Sequence, residues 1–305
     1  MTQALPQRVT VVEVGPRDGL QSIGVRLETA DKIRYIDALS ASGLPVIEVT
    51  SFVSPKWVPL MADATEVYRG IRKADGVRYP VLVPNEKGLD RALEAGAQEI
   101  AVFTAASETF NRKNIHAGID ESLARIEPVV KRCRDDGLRV RGYISTCWGC
   151  PYEGDVPASR VLQVTRALLE MGVDEVSAGD TIGVATPNRV EEVLEALLGE
   201  LDVGRIAMHF HDTYGMGLAN VEQALRMGVS IFDTSSAGIG GCPYAPGATG
   251  NLATEDLIYL LHGRGLSTGV DLDKLVQAGA LLEKALGQAV PGRAYRALSA
   301  GKSVE

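Results

Sequence analysis

The most constraining feature of this chain is an alternation of short β-rich runs with longer helical patterns, sustained through eight strands. The runs are RVTVVEV (8–14), PVIEVTSF (45–52), YPVLVP (79–84), EIAVFTA (99–105), RVRGYIS (139–145), DEVSAGD (174–180), RIAMHFH (205–211) and SIFDTSS (230–236). Between them, stretches such as TADKIRYIDALSASG and PNRVEEVLEALLGEL space apolar residues three and four apart, as a helix with one buried face does. Gly43, Gly96, Gly137, Gly172 and Gly228 each stand shortly before a strand, where a helix stop belongs. Such alternation implies parallel strands joined by right-handed crossovers.

The chain has 305 residues, long for one ordinary domain but suited to a (β/α)8 barrel, which takes about 250. No Pro/Ser-rich linker or charge block interrupts residues 8–260. No GxGxxG follows the first strand, which weighs against an open dinucleotide-binding sheet. The expected fold is therefore α/β: a single TIM-barrel catalytic domain over 1–305. The barrel should occupy about 7–250 and additional C-terminal helices about 251–290, with the tail GRAYRALSAGKSVE frayed.

Composition narrows the function. A hydrophobic share of 45% and a charged share of 23% describe a globular chain with a sizeable core. The net charge of −8 repels polyanions, and 5% aromatics leave little surface for stacking bases, so no nucleic-acid partner is expected. No charge-free apolar run approaches the roughly 18 residues of a membrane span, and no membrane partner is expected. Cys133, Cys147, Cys150 and Cys242 do not make a disulfide framework in a chain this long. The N-terminal MTQALPQRVTVVEVG reads as neither signal nor transit peptide. A soluble, cytoplasmic protein is expected.

A barrel carries its chemistry at the C-terminal ends of its strands. Strand 1 is followed by Gly15-Pro16-Arg17-Asp18-Gly19-Leu20-Gln21, strand 2 carries Glu48, strand 5 ends with Tyr143 and Ser145, and strand 6 ends with Asp180. Strand 7 ends with His209-Phe210-His211, half of the chain's four histidines. Two residues apart on a strand, both imidazoles face the same way, about 6.6 Å between Cα atoms, and suit one metal ion. Asp18 can close the set because strands 1 and 7 come near each other in a closed barrel. Oxygen ligands favour Mg²⁺ or Mn²⁺, while imidazole also suits Zn²⁺ or Fe²⁺. The uncharged, glycine-rich loop 238–251 reads as an active-site flap, with Cys242 as its reactive group and Asn251 as an oxygen donor. Cys147-Trp148-Gly149-Cys150 lacks the context of a redox or zinc motif and reads as ordinary loop thiols. Glu13 reads as an interior barrel charge paired with a neighbour and without a catalytic role.

VEVGPRDGLQ (12–21), IEVTSFVSPKWVP (47–59), RGYISTCWGCPYEG (141–154), GDTIG (179–183), HFHDTYG (209–215) and GGCPYAPGATGNLATED (240–256) together resemble the 3-hydroxy-3-methylglutaryl-CoA lyase family. That family lies among the metallolyase barrels that include the isopropylmalate and homocitrate synthases. The resemblance runs from about residue 7 to 290. The cysteine loop points to the lyase branch, as does the lack of room for the long C-terminal extension of the synthases.

The resemblance implies retro-Claisen cleavage of 3-hydroxy-3-methylglutaryl-CoA to acetyl-CoA and acetoacetate with a divalent metal, Mg²⁺ or Mn²⁺. It makes Asp18, His209, His211 and Asn251 the metal ligands. Arg17, Glu48, Asp180, His209 and Cys242 become catalytic or supporting residues, and Tyr143, Glu255 and Gln21 pocket members. Physical reasoning adds roles: Arg17 for the developing enolate oxygen, Cys242 for protonating the enolate carbon, His209 or Asp180 for the proton path. The initial base stays open. An anionic acyl-CoA partner in an acidic protein needs local cations, and Lys56, Arg112 and Lys113 lie in loops at the right end. A homodimer or other homo-oligomer is expected. The rivals are a lyase for a larger 3-hydroxy-3-alkylglutaryl-CoA, a condensing synthase, an amidohydrolase, a two-histidine iron oxygenase and a metal-binding scaffold.

Overall fold

The structure, a computed structural model, describes residues 5–241 and 250–300. The strands are β1 (Thr10–Glu13), β2 (Val46–Ile47), β3 (Thr50–Ser51), β4 (Val81–Leu82), β5 (Glu99–Ala105), β6 (Arg139–Ser145), β7 (Gly149–Cys150), β8 (Gly154–Asp155), β9 (Glu175–Asp180), β10 (Ile206–Phe210) and β11 (Ile231–Thr234). β7 and β8 form a small antiparallel hairpin. All others are parallel, in the order β2-β1-β11-β10-β9-β6-β5-β4-β3.

β2 and β3 are two pieces of the single expected strand 45–52. Between them, the Glu48 amide donates to Glu13 O of β1, and the Val49 amide to Pro80 O just before β4. The hydrogen-bond ladder turns from one neighbour to the other at this point. The first and last members of the sheet are thus one strand, and the sheet closes on itself. Helices such as Thr29–Ala41, Ile119–Asp135, Ala158–Met171 and Pro187–Leu198 separate the strands as expected. The fold is a TIM-like (β/α)8 barrel. All five expected glycine stops adopt positive φ, between 70° and 102°. Among the described residues, no helix is long and apolar enough to cross a membrane.

The main core lies between barrel and helices, and Val11 on β1 contributes to it. Val12 and Val14, of opposite parity, join Val46, Ala207 and Ile231 in a separate cluster on the barrel's inner side. By the same parity Glu13 points outward, which corrects the sequence reading of an interior charge paired with a neighbour. It is fully buried there against N–H and O–H donors: Gly15 N and Ser236 N on Oε1, each at 2.8 Å, and Thr254 Oγ1 on Oε2 at 2.6 Å.

The tail is the second correction. Arg293–Ser299 is a helix, and Tyr295 is buried with its hydroxyl donating to Glu283 at 2.7 Å. Gly292 N donates to Ala237 O at 2.8 Å, Ala294 N to Asp256 Oδ1 at 2.5 Å, and Arg293 pairs with Asp212. These contacts, half of them through backbone amides, replace the amphipathic pattern the segment lacks. Tyr295→Ala is expected to lose about 3 kcal/mol of stability, the usual scale for truncating a buried aromatic. Chemical denaturation measures it; a loose tail would leave the midpoint unchanged.

Candidate active site

Strand β1 runs into one turn of π-helix, Gly15–Gly19, in which the amides of Arg17, Asp18 and Gly19 converge on Val14 O at 3.1, 2.7 and 3.4 Å. Such turns are rare and concentrate at functional sites. The widened turn lets the adjacent Arg17 and Asp18 act together. Arg17 Nη1 donates to Asp18 Oδ1 at 2.5 Å, and Arg17 Nε to Glu48 Oε2 at 2.7 Å. Arg17 and Glu48 are buried. The Arg17 guanidinium also sits 5.3 Å from the Tyr143 ring centroid.

His209 on β10 and His211, just past its end and bridged to Asn251, lie with their ring centroids 5.2 Å apart. One candidate ligand atom from each of Asp18, His209 and His211 falls within a 4.8 Å group. Asn251 joins them, donating through Nδ2 to Asp18 Oδ2 at 2.9 Å. Its amide oxygen is buried with no hydrogen-bond partner among the described residues, the state expected of an oxygen meant for a cation. Gly240 makes this approach possible: its φ is 109°, and a Cβ there would lie 2.6 Å from Asn251 Nδ2.

The electrostatics also suit a metal, whose ligands must be unprotonated. Burial would raise Asp18, but Arg17, His209, His211 and the Asn251 hydrogen bond outweigh it and hold the carboxyl down at about 2. Burial, then the neighbouring His209, press His211 down to about 3, so it stays neutral. Burial also opposes charge on His209, yet the hydrogen bond and charge of Asp233, with the charge of Asp18, raise it, so this ring gives up its extra proton when an ion binds. With a carboxylate, two imidazoles and an unpartnered amide oxygen brought together, the residues fit a divalent ion.

Asp180 ends β9 and accepts from the amides of Val184 at 2.9 Å and Ala185 at 3.0 Å. Burial lifts it to about 6 in spite of those bonds. Tyr143 is buried in the barrel, its hydroxyl accepting from Arg141 Nη1 at 3.0 Å. Gln21 follows the π-turn with its buried amide oxygen unpartnered among the described residues. Cys242 lies outside the described residues. Cys147 and Cys150 are buried free thiols, as read from the sequence.

Glu255, a pocket member by the resemblance, is held against the turn that follows β11. It is fully buried and accepts from Ala237 N at 2.7 Å and Ser236 Oγ at 3.1 Å. Glu13 binds the same Ser236 from its amide side. Burial raises Glu13 to about 7 and Glu255 to about 8. Both folded values exceed the unfolded value of 4.5, so the native chain binds more protons than the unfolded chain above that pH. Stability is therefore expected to fall as pH rises from 4.5 and to level off above 8, by up to about 1.4 kcal/mol per pH unit per group. Urea midpoints across this range measure the slope, and Glu255→Gln should flatten it; equal slopes in the two proteins would refute the attribution.

The rim cations are spread out. Lys56 is exposed beside Trp57, whose ring lies 5.2 Å from that of His116. Arg112 and Lys113 belong to helix Glu108–Ile115 rather than to a loop, which corrects their expected setting. Arg112 pairs with Glu108 at 3.7 Å, and Lys113 Nζ stands 4.4 Å from the Tyr152 ring centroid.

The sequence reading missed the barrel's charged interior. Arg141 reaches from β6 to Asp233 on β11 at 2.5 Å and to Glu175 on β9 at 2.6 Å. Arg139 joins Glu175 at 3.0 Å and Glu99 at 3.4 Å, and Arg78 joins Glu99 at 2.8 Å. The signal was available: Arg139, Arg141 and Tyr143 share one face of the same strand.

Comparison with known proteins agrees with this geometry. The HMGL-like family model matches residues 8–282. A bovine (Bos taurus) protein named mitochondrial hydroxymethylglutaryl-CoA lyase is 57% identical over 92% of this chain and 86% of its own length. A Pseudomonas aeruginosa 3-hydroxy-3-isohexenylglutaryl-CoA/hydroxy-methylglutaryl-CoA lyase is 54% identical over 97% of this chain and 99% of its own. The crystal structure of hydroxymethylglutaryl-CoA lyase from Pseudomonas aeruginosa superposes with a TM-score of 0.96 at 53% identity, covering 98% of this chain and 99% of that one. With its barrel, its ligand cluster and a family match over nearly its whole length, the chain belongs to the HMGL-like family.

Proposed function

We propose that this chain is a carbon–carbon lyase that cleaves 3-hydroxy-3-methylglutaryl-CoA to acetyl-CoA and acetoacetate with Mg²⁺ or Mn²⁺. The observation that carries the reading is the Asp18–His209–His211 cluster set directly against the buried Arg17 guanidinium. Asp18, His209, His211 and Asn251 would hold the ion, which when bound acidifies a substrate hydroxyl and orients the substrate.

This chain's own residues do the remaining work. Arg17, aimed by Glu48, stabilises negative charge growing on the thioester oxygen as the carbon–carbon bond breaks. A cation in a buried site does this better than one in water, because the surrounding dielectric is low. Asp180, titrating at about 6, and His209 form the path by which the hydroxyl proton leaves. Cys242 returns a proton to the acetyl carbon; its support is the GGCPYAPGATGN motif. Tyr143 and Gln21 line the acyl pocket, while Glu255 holds the Ser236–Ala237 turn. Lys56, Arg112 and Lys113 are assigned to the CoA phosphates as a rim. The proposal includes a cytoplasmic location, supported by free thiols at all three described cysteines, and a homo-oligomeric state.

A second acyl specificity has a specific observation behind it, since the Pseudomonas aeruginosa relative is named for both the isohexenyl and the methyl substrate. Mass analysis of products from each CoA ester tests both. Acetyl-CoA and acetoacetate from the methyl substrate support the lyase reading. Free CoA with intact 3-hydroxy-3-methylglutarate would instead reveal a hydrolase.

A further inference from the structure

We propose that Asp233, held by Arg141, is a positioning residue that keeps His209 with Nδ1 as hydrogen-bond donor and so commits Nε2 to the metal. The inference rests on the metal-site reading above and adds what orients its central ligand.

His209 and Asp233 are register partners on β10 and β11, so their side chains leave the same side of the sheet. His209 Nδ1 faces Asp233 Oδ2 at 3.4 Å. Only Nε2 is then left for the group it forms with Asp18 and His211. An ionised carboxylate can only accept, so a bond to it requires the ring proton on Nδ1. The carboxylate is itself fixed from two further strands. Asp233 Oδ1 accepts from Arg141 Nη2 at 2.5 Å, and Oδ2 also accepts from Ser177 Oγ at 2.7 Å. Arg141 is in turn anchored by Glu175 at 2.6 Å and by the Tyr143 hydroxyl at 3.0 Å. Every member of this chain is buried.

Filling a barrel with charge is costly. Branched apolar layers are the usual filling, and replacing a buried ion pair by well-packed apolar residues is often neutral or stabilising. Stability alone therefore gives no reason for Arg141 and Asp233 at this level. Orientation does: a metal-binding histidine commonly donates its second nitrogen to a carboxylate, and losing that partner weakens metal binding about 10- to 100-fold.

The test uses the full chain stripped with chelator, and Mn²⁺ as the probe. Electron paramagnetic resonance titration should show Asp233→Asn binding Mn²⁺ about 10- to 100-fold more weakly than wild type. The new amide can donate to Nδ1, which moves the ring proton to Nε2 and blocks ligation. Ser177→Ala, which keeps the carboxylate's charge, should weaken binding to a smaller degree. Because Asp233→Asn also strips Arg141 of a charge partner and could unfold the barrel, the wild-type protein supplies an independent readout. Four histidines make side-chain ¹⁵N spectra tractable, with His209 identified by its loss in His209→Gln. In the chelated wild type, at a pH where the ring is neutral, His209 should carry its single proton on Nδ1. A neutral ring protonated on Nε2, or equal Mn²⁺ affinity in wild type and Asp233→Asn, overturns this proposal alone. Wild-type protein that binds no Mn²⁺ overturns the metal reading beneath it.

Discussion

Asp18→Asn and His211→Ala are expected to purify without their divalent ion and to lose on the order of a thousandfold or more in kcat. Asp18 supplies the cluster's one negative charge, and both of its oxygens are engaged, by Arg17 on one side and Asn251 on the other. An amide in its place carries no charge and offers a single acceptor, so the cation loses its main electrostatic partner. His211 is neutral and buried, with its Nδ1 unpartnered among the described residues, and removing its ring takes one nitrogen ligand out of the cluster. Elemental analysis against protein concentration measures the metal. Full occupancy in either variant would remove that residue from the ligand set, whatever happened to turnover.

Arg17→Ala should separate chemistry from metal binding. Loss of one preorganised donor from an oxyanion site typically reduces kcat by about 10²- to 10³-fold, and a buried cation should lie at or above that range. Metal content should persist. Glu48, already raised by burial, can take up a proton once its cationic partner is gone, so no bare charge is left to disrupt the turn. Asp18 keeps its contact with Asn251. Near-normal turnover in Arg17→Ala would rule out its role at the thioester oxygen. Loss of the ion along with activity would make Arg17 a support for Asp18 instead.

Much of the barrel and the core of its site was legible because both follow from local pattern. Apolar runs ending in glycine mark strand after helix, and all five glycine stops are left-handed. His209 and His211 had to share a face because strands alternate with period two. What stayed hidden depends on distant partners. Arg141 and Asp233 look like ordinary strand charges in RVRGYIS and SIFDTSS until the closed barrel faces them across its interior. Glu255 opens the helix Thr254–Gly263, and its bonds to Ser236 and Ala237 join it to a turn 19 and 18 residues earlier. The tail helix has too short a pattern to announce itself, and its docking comes from contacts with Ala237, Asp256 and Asp212. Distance in sequence concealed the partners in each case.

The most direct test of the central claim is cleavage of 3-hydroxy-3-methylglutaryl-CoA by chelator-stripped enzyme before and after Mn²⁺ or Mg²⁺ is restored. Acetoacetate should be absent from the stripped protein and should appear in proportion to metal bound, with His211→Ala failing to respond. Undiminished acetoacetate release from metal-free protein, or none from fully loaded protein, would contradict it.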